Sequence, residues 1–352
     1  MEAISFKKVC EIFDQVEATS GRLEMTDILA ALYKDLDTED AQILTYLIQG
    51  RLAPLFVKSE FNYSEKSILN LVKEWGRVNG IKEDVEGKRV ETGDVGSTVE
   101  YFVSLNSNEN ESKSLREVYE ILWRIVSTSG TGSIDRKNDI ILKFISHSTP
   151  LEAKYFVRIV CGSLRLGVNT KTLLDVFSVV RVGDKSMRDN YVAAYGRCSD
   201  PGLLVGSVDL ESIQTTPGVP VLSRLVERVG SFEEVFERLG DEVLVQEKYD
   251  GLRCQIHKYI EGGRESKAVW SRYLELEEER GLFAVQENSK VVVRLFTRNL
   301  EDVTEMFPEI VDSAMDLDEE SFILDSEVMG WDYEKDTFLT YQETMTRRRK
   351  YG

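Results

Sequence analysis

The chain has 352 residues, a length that favours two hydrophobic cores. Hydrophobic residues make up 42% and charged residues 30%, which excludes a largely disordered or fibrous protein. No run of about 18 uncharged apolar residues occurs, and no apolar segment follows the first residues, so neither a membrane span nor a secretory signal is predicted. We therefore expect a cytoplasmic protein. The cysteines are far apart in sequence and only two histidines are present, so a zinc site is not predicted and the thiols are interpreted as reduced packing residues.

The net charge of -18 argues against binding of nucleic acid by overall electrostatics, because that binding requires basic side chains near phosphates. The charge is unevenly distributed, however. Residues 154–197 carry eight basic and three acidic side chains, a local balance of +5, and we call this segment the basic island. Its composition fits either a surface for a polyanion or a set of solvated helix faces.

Helical periodicity dominates the chain up to about residue 200. Apolar residues recur at intervals of three and four, as in Leu115, Val118 and Leu122, which predicts an all-α unit. Pro150 suits the first turn of a new helix, with Ser148 or Thr149 as its cap.

The pattern changes after residues 215–220, the densest turn signal in the chain. Alternating apolar residues flank Asp250-Gly251, which predicts a β-hairpin between residues 243–245 and 252–256. Two further runs, at residues 291–296 and 322–329, indicate an antiparallel sheet, and residues 275–287 are interpreted as an acidic helix. The second half is therefore predicted to be α+β, and the predicted domains are residues 1–212 and 213–352.

Sequence blocks around this sheet follow a recognisable order. Lys248, followed by Asp250-Gly251, fits either a nucleophile motif or an exposed strand lysine beside an ordinary turn. Downstream lie the block at residues 296–304 and the block at residues 323–328. In this order they resemble the first motifs of the covalent nucleotidyltransferase superfamily, and most closely the ATP-dependent DNA ligases of the archaeal and eukaryotic replicative type.

The N-terminal half is similar to the helical DNA-binding domain of the same ligases, which disfavours an RNA ligase or a capping enzyme. The similarity includes residues 47–54, 127–133 and 150–158, together with the Gly-x-Leu-Arg-x-Gly loop at residues 162–167. In the family this loop approaches the minor groove, and here it lies within the basic island. The resemblance implies that nicked duplex DNA is the partner, with contacts from Arg158, Gly162, Arg165 and Gly167. Two glycines beside an arginine also allow close approach of the backbone to a phosphate strand.

The resemblance implies a role for each motif residue in the second half. Lys248 is the residue that becomes adenylylated by ATP, Arg253 and Arg298 contact the nucleotide or its phosphates, and Glu327 is a carboxylate on the nucleotide or metal side. Mg²⁺ is implied because phosphoryl transfer needs the triphosphate charge to be neutralised. Asp250 fits either orientation of the nucleophile or a plain turn.

Three features depart from the family pattern. Gln246 stands where the family has a glutamate that reads the adenine amino group, although its amide carbonyl can still accept a hydrogen bond. Residues 259–290 resemble an insertion that contains a competing Ser-Arg pair ending at Arg272, and we prefer Arg298 because its neighbours continue the motif. In the family, a segment that matches the Arg-Arg-Arg-Lys-Tyr at residues 347–351 lies well inside the adenylation domain. The alternative interpretation of this basic run is a solvated tail.

The Glu-Gly motif, the Lys-x-Lys motif and the oligonucleotide-binding barrel of the family do not occur in this sequence. The expected fold is thus an all-α DNA-binding domain followed by an incomplete nucleotidyltransferase domain. Two functions are expected. The first is part of an ATP-dependent DNA ligase for replication, recombination and repair, either as a split subunit completed by a second chain or as a truncated product. The second is a non-catalytic protein that binds nicks or DNA ends.

Overall fold

The computed structural model describes residues 3–106, 113–261, 269–273 and 290–347. The predicted fold class is confirmed, because helices are followed by a small antiparallel sheet. The helix predicted at residues 275–287 and most of the basic run at 347–351 lie outside the described residues. In the part of the chain that is described, no helix has the length and apolar character needed to cross a membrane.

The chain divides into two compact units. The first comprises Met1–Tyr195, Asp200–Ser212 and Glu265–Gln286, and the second comprises Gly196–Ser199, Ile213–Arg264 and Glu287–Gly352. The chain thus passes to the second unit at Ile213. The later segment Glu265–Gln286 is grouped with the first unit, whereas the predicted domains have a single boundary at residue 212.

Helices form the first unit. They are α1 (Phe6–Ala18), α2 (Arg22–Lys34), α3 (Thr38–Ile48), α4 (Glu65–Val78), α5 (Val85–Thr92), α6 (Val95–Ser104), α7 (Leu115–Ser127), α8 (Ser133–Ile145), α9 (Pro150–Val160), α10 (Thr170–Val182), α11 (Arg188–Cys198), whose last residues belong to the second unit, and α12 (Pro201–Val205).

Helix α9 lies in the centre of the first unit. It begins at Pro150, as predicted, and of the two predicted cap positions Thr149 is the one that caps it, in a capping box with Glu152. Every residue from Glu152 to Val160 is buried, so this helix is surrounded on all sides instead of presenting one apolar stripe. The surrounding helices therefore have to supply partners for its polar side chains.

Residues 269–273 pack within the helical unit, although they belong to the predicted insertion. The Val269 N–H donates to Gln42 Oε1 at 2.8 Å, and Trp270 Nε1 donates to Asp200 Oδ2 at 3.1 Å. The Tyr273 ring stacks on the Trp123 ring with centroids 5.4 Å apart. This segment thus adds buried contacts to the first unit.

The second unit contains a three-stranded antiparallel sheet with β1 in its centre, in the order β2-β1-β3. Its elements are α13 (Phe232–Leu239), β1 (Leu252–Glu261), β2 (Lys290–Thr297), α14 (Pro308–Met315), β3 (Phe322–Val328), β4 (Trp331–Asp332), β5 (Thr337–Phe338) and α15 (Tyr341–Thr344), with 3-10 turns at Thr304–Met306 and Met345–Arg347. The core lies on one face of this sheet, where Leu252 and Cys254 pack with Leu295 and with Phe307 beside α14.

The hairpin predicted around Asp250-Gly251 is wrong. Only its second arm is a strand, and residues 243–245 have no regular structure. Both edges of β1 are already paired, one with β2 and the other with β3, so no edge is left for another strand. Gly251 is still required, because a Cβ there would lie 2.6 Å from Val328 O on β3.

The turn at residues 215–220 packs against the second face of β1. Val219 N–H donates to Thr216 O at 3.0 Å and Gly218 has φ of +92°, the arrangement of a type II turn with Pro217 before the glycine. The Gly218 N–H donates to His257 Nδ1 at 3.0 Å. The predicted turn is thus part of the second unit.

Candidate functional site

The loop at residues 162–167 follows α9 directly. Gly162 and Gly167 have positive φ values of 63° and 68°, which residues other than glycine rarely adopt. Leu164 and Leu166 are buried, and Arg165 between them, itself at φ of 59°, projects from the unit with 48% of its side chain exposed. The two leucines anchor the loop and leave one arginine for an external partner.

Arg165 is held close to the end of α5. Its Nη1 donates to Gly93 O at 3.3 Å, and its Nε lies 3.7 Å from Asp94 Oδ1. These contacts are long and the side chain is half-exposed, so its guanidinium retains donors for a phosphate or a groove edge. The Gly50 turn after α3 lies beside this loop, with an ideal Cβ position 3.9 Å from the Gly162 carbonyl carbon.

Arg158 occupies a different environment from Arg165, with only 2% of its side chain exposed. Its Nε donates to Asp94 Oδ2 at 2.9 Å, and its Nη1 and Nη2 donate to Glu17 Oε2 and Oε1 at 2.7 and 3.0 Å. A buried guanidinium with two carboxylate partners has no face open to DNA. Arg158 therefore supports the loop from inside, because Asp94 also faces Arg165.

The pKa of Glu17 shows that its carboxylate is strongly stabilised by the hydrogen bonds around Arg158. Partial burial alone would raise its pKa, but hydrogen bonds from Arg158 and Tyr155 lower the pKa of Glu17 to about 2. Lys154 also lies in the network, with Nζ 2.9 Å from Asp14 Oδ1. Two of the eight basic residues of the basic island are therefore engaged inside the first unit.

The sheet of the second unit brings three of the predicted nucleotide residues to one end. Arg253 pairs in register with Glu327, and Arg298 directly follows Thr297, the last residue of β2 paired with β1. Arg253 and Glu327 lie on the face opposite the core, because Leu252 and Cys254 occupy the core face. A fourth residue, Asp325, accepts from Arg253 Nε at 2.9 Å.

Lys248 lies four residues before β1 in a segment without regular structure, and its side chain is exposed. The neighbouring motif residues are held by other elements. The Gly251 N–H donates to Glu327 Oε1 at 3.2 Å, Asp250 Oδ2 accepts from the Tyr341 N–H at 3.4 Å, and the Tyr249 ring lies edge-on to Phe338. Gln246 is also exposed.

Two other basic side chains near these motifs in sequence have fixed partners. Lys258 Nζ donates to Met315 O at 2.9 Å and to Leu317 O at 2.6 Å, so the lysine of β1 is held in the interior. Arg272 forms an ion pair with Glu39 in the first unit. Of the two arginines compared in sequence, Arg298 is the one that the second unit places beside β1.

Sequence reasoning missed Asp325 and the carboxylates that hold Arg158. Asp325 could have been found, since it lies two residues before Glu327 and must share its face of the strand. Glu17 and Asp94 carry no local signal, because they lie 141 and 64 residues from Arg158 in sequence.

Glu327 is the residue of the second unit that is predicted to hold a metal ion. Among the described residues no group of three or more His, Cys, Asp or Glu side chains is arranged to hold a metal ion. Mg²⁺ commonly uses one or two carboxylates plus substrate phosphates, so a single carboxylate such as Glu327 fits this ion without a dedicated cage.

Comparisons with known proteins give the same order of domains. A family model described as DNA ligase N terminus matches residues 5–178, and one described as ATP dependent DNA ligase domain matches residues 276–352. Arg298 and Glu327 fall within the second match, whereas Lys248 and Arg253 precede it.

Curated relatives align with nearly the whole chain. A "Probable DNA ligase" of Dictyoglomus turgidum is 34% identical over 354 residues, covering 99% of this chain and 55% of the relative. A "DNA ligase 2" of Thermofilum pendens is 30% identical with the same coverage, and a "DNA ligase" of Sulfurisphaera tokodaii is 31% identical, with 56% of its length covered. The chain thus spans about 55% of the length of the curated relatives it matches.

Proposed function

Because the chain belongs to the ATP-dependent DNA ligase family, we propose that it supplies the DNA-binding domain and the N-terminal adenylation region of a ligase. The proposed activity is the sealing of nicks in cellular duplex DNA in the cytoplasm, during replication, recombination and repair. The observation that carries this proposal is the assembly of Arg253, Glu327 and Arg298 at one end of the sheet, downstream of Lys248 in the family's motif order.

The DNA partner of the first unit is proposed to lie against the loop at residues 162–167. Its two positive-φ glycines keep the backbone accessible, and Arg165 is the half-exposed cation between them. Contacts of this kind reach phosphates and groove edges and carry little sequence information. Binding is therefore proposed to be salt-dependent and indifferent to sequence.

The nucleotide chemistry is assigned to the second unit. Lys248 Nζ is proposed to attack the α-phosphate of ATP, forming a phosphoramidate bond to AMP while pyrophosphate leaves with the electrons of the broken P–O bond. The lysine must lose its proton before the attack, since only a neutral amine is nucleophilic. Arg253 and Arg298 are proposed to contact the nucleotide phosphates, and Gln246 to accept from the adenine amino group.

Glu327 is proposed as the protein ligand of Mg²⁺. When bound, the metal ion neutralises triphosphate charge, which favours phosphoryl transfer. The Glu327 carboxylate also accepts from the Gly251 N–H, and it thereby fixes the strand start that follows Lys248.

Sealing is proposed to require the part of the relatives that this chain does not span, supplied for example by a second polypeptide. The Lys-x-Lys motif and the barrel of the family would add cations at the α-phosphate and exclude water from the site. A non-catalytic protein that binds nicks is the second candidate. It is favoured by the contrast between a well-anchored DNA loop and an exposed Lys248 on an irregular segment.

The test is adenylylation of the whole chain with ATP and Mg²⁺, followed by peptide mass spectrometry. We expect an acid-labile AMP adduct on Lys248 that disappears in Lys248→Ala. Lys335→Ala, which removes an exposed lysine of the same unit, is the matched control and should keep the adduct. An adduct that persists in Lys248→Ala would refute the assignment, and wild-type chain that binds nicked DNA without ever forming an adduct would support the non-catalytic candidate.

A further inference from the structure

A buried carboxylate in the first unit gathers three cations from three different segments. Asp175 on α10 has 2% of its side chain exposed. Arg22 Nη2 lies 3.3 Å from Asp175 Oδ2, Lys185 Nζ lies 3.2 Å from the same atom, and Arg188 Nε lies 3.0 Å from Oδ1. We call these three basic residues the Asp175 cluster.

The Asp175 carboxylate is shared by three cations. Three positive side chains face this one carboxylate. Asp184 in the same turn, whose Oδ1 accepts from the Ser186 N–H, and Asp189, which follows Arg188 in sequence, are further carboxylates that reduce the net charge around the cluster. The three basic side chains are 51%, 35% and 42% exposed, so their outward donors face solvent. An arginine has five N–H donors, and a single contact to a carboxylate leaves most of them available.

The Asp175 cluster continues into the proposed DNA surface. Arg22 lines a cavity of about 400 Å³ together with Arg165, Gly167 and Asn169. Helix α2 begins at Arg22 and α10 begins next to Asn169, and each is 13 residues long. The positive ends of both helix dipoles therefore open on the same cavity and favour an anion there, while the Glu17 carboxylate, which also lines the cavity, is bound by Arg158.

We propose that Arg22, Lys185 and Arg188 form a second site for a backbone phosphate of DNA, separate from the loop at residues 162–167. The inference rests on the proposed DNA-binding function and adds a contact that lies on α2, the turn after α10 and α11. Asp175 holds the three cations in place before DNA arrives, which lowers the ordering cost of the contact. The site reads charge alone, since phosphate contacts fix position without specifying sequence.

An alternative role for the same cluster is purely structural, because Asp175 also ties α2, α10 and α11 together. The two roles make different predictions. A structural tie changes the stability of the fold when it is removed. A phosphate site changes the salt dependence of DNA binding by a defined amount, whatever happens to stability.

The experiment measures binding of a nicked duplex to the full chain between 50 and 200 mM salt. The slope of log K against log salt falls by about 0.9 for each phosphate that the protein no longer neutralises. We therefore expect Lys185→Ala and Arg188→Ala each to reduce the ratio of the affinities at 50 and 200 mM salt by up to about 3.5-fold, the value for a phosphate contact that is lost completely. Arg188→Lys, which keeps the charge, should retain most of the wild-type slope.

The matched control is Lys34→Ala, which removes an exposed charge about 18 Å away at the other end of α2. Its slope should equal that of the wild-type chain. Wild-type slopes in both Lys185→Ala and Arg188→Ala, alongside weaker binding by Arg165→Ala, would overturn the second site and leave the proposed function standing. Absence of nick binding by the wild-type chain would overturn the proposed function as well. Lys185 lies on an exposed turn, so its variant gives the answer if Arg188→Ala does not fold.

Discussion

Replacing Arg158 with methionine should destabilise the first unit without removing any exposed charge. The methionine keeps much of the aliphatic volume but leaves Asp94, 5% exposed, and Glu17, 30% exposed, without their guanidinium partner. Breaking a buried ion pair from one side costs about 3–5 kcal/mol. We expect about 3 kcal/mol here, because water can partly solvate Glu17 and the Ser97 N–H still donates to Asp94.

Urea unfolding of the wild-type chain and the Arg158→Met variant at pH 7 measures this cost. Arg165→Ala is the control. Its half-exposed side chain lies 3.7 Å from Asp94, so the change should cost less than about 1 kcal/mol. The variant pair thus separates a supporting arginine from a binding arginine on the same carboxylate. A loss below about 1 kcal/mol for Arg158→Met would refute the view that this network holds the loop.

The acid dependence of the same variant gives an independent check. Glu17 has a pKa of about 2 in the folded chain, below its ordinary value of 4.5, so its contribution to stability is present above about pH 4.5. That contribution is lost as the pH falls from 4.5 towards 2. In Arg158→Met the loss in this window should be smaller, because the arginine that lowers the pKa of Glu17 is gone.

Three further results are expected. Burial lowers the pKa of His257 from 6.5 to about 4, and the His257 Nδ1 accepts from the Gly218 N–H. The free energy of unfolding, measured with urea, should therefore fall by about 2 kcal/mol between pH 7.5 and pH 5, and an equal fall in His257→Gln would contradict this. Gly218→Ala should lower the melting temperature by several degrees, because a Cβ would lie 2.9 Å from the Tyr259 ring at positive φ, whereas an unchanged melting temperature would show that the turn adjusts freely. Arg165→Ala should weaken binding of a nicked duplex and lower its salt slope by about 0.9, and equal affinity across a salt titration would remove this loop from the interface.

Local sequence signals predicted much of the secondary structure. The helix start at Pro150 and the apolar spacing of α7 depend on residues within one turn of each other, and the structure has both. The runs at residues 291–296 and 322–329 are strands for the same reason, since alternation is a property of neighbouring residues.

Features that depend on distant residues were not predicted. Alternation beside Asp250-Gly251 suggested a hairpin, but the pairing of β1 was decided by strands that begin 29 or more residues after β1 ends. A count of basic residues could not show that Arg158 is buried, because its partners come from α1 and from the cap of α6. The same count could not reveal the Asp175 cluster, which requires Arg22 from a helix outside the basic island.

The most direct test of the central proposal is sealing of a labelled nicked duplex by the chain with ATP, Mg²⁺ and a second polypeptide that carries the remaining motifs and the barrel. We predict sealing with both polypeptides, none with either alone, and none when Lys248→Ala replaces the wild-type chain. Losing donors at a reacting phosphate costs on the order of a hundred- to a thousandfold in rate, so the chain alone should give no detectable product. Efficient sealing by the chain alone would contradict the proposed need for the remaining motifs and the barrel, and sealing by the mixture containing Lys248→Ala would contradict the assignment of the nucleophile.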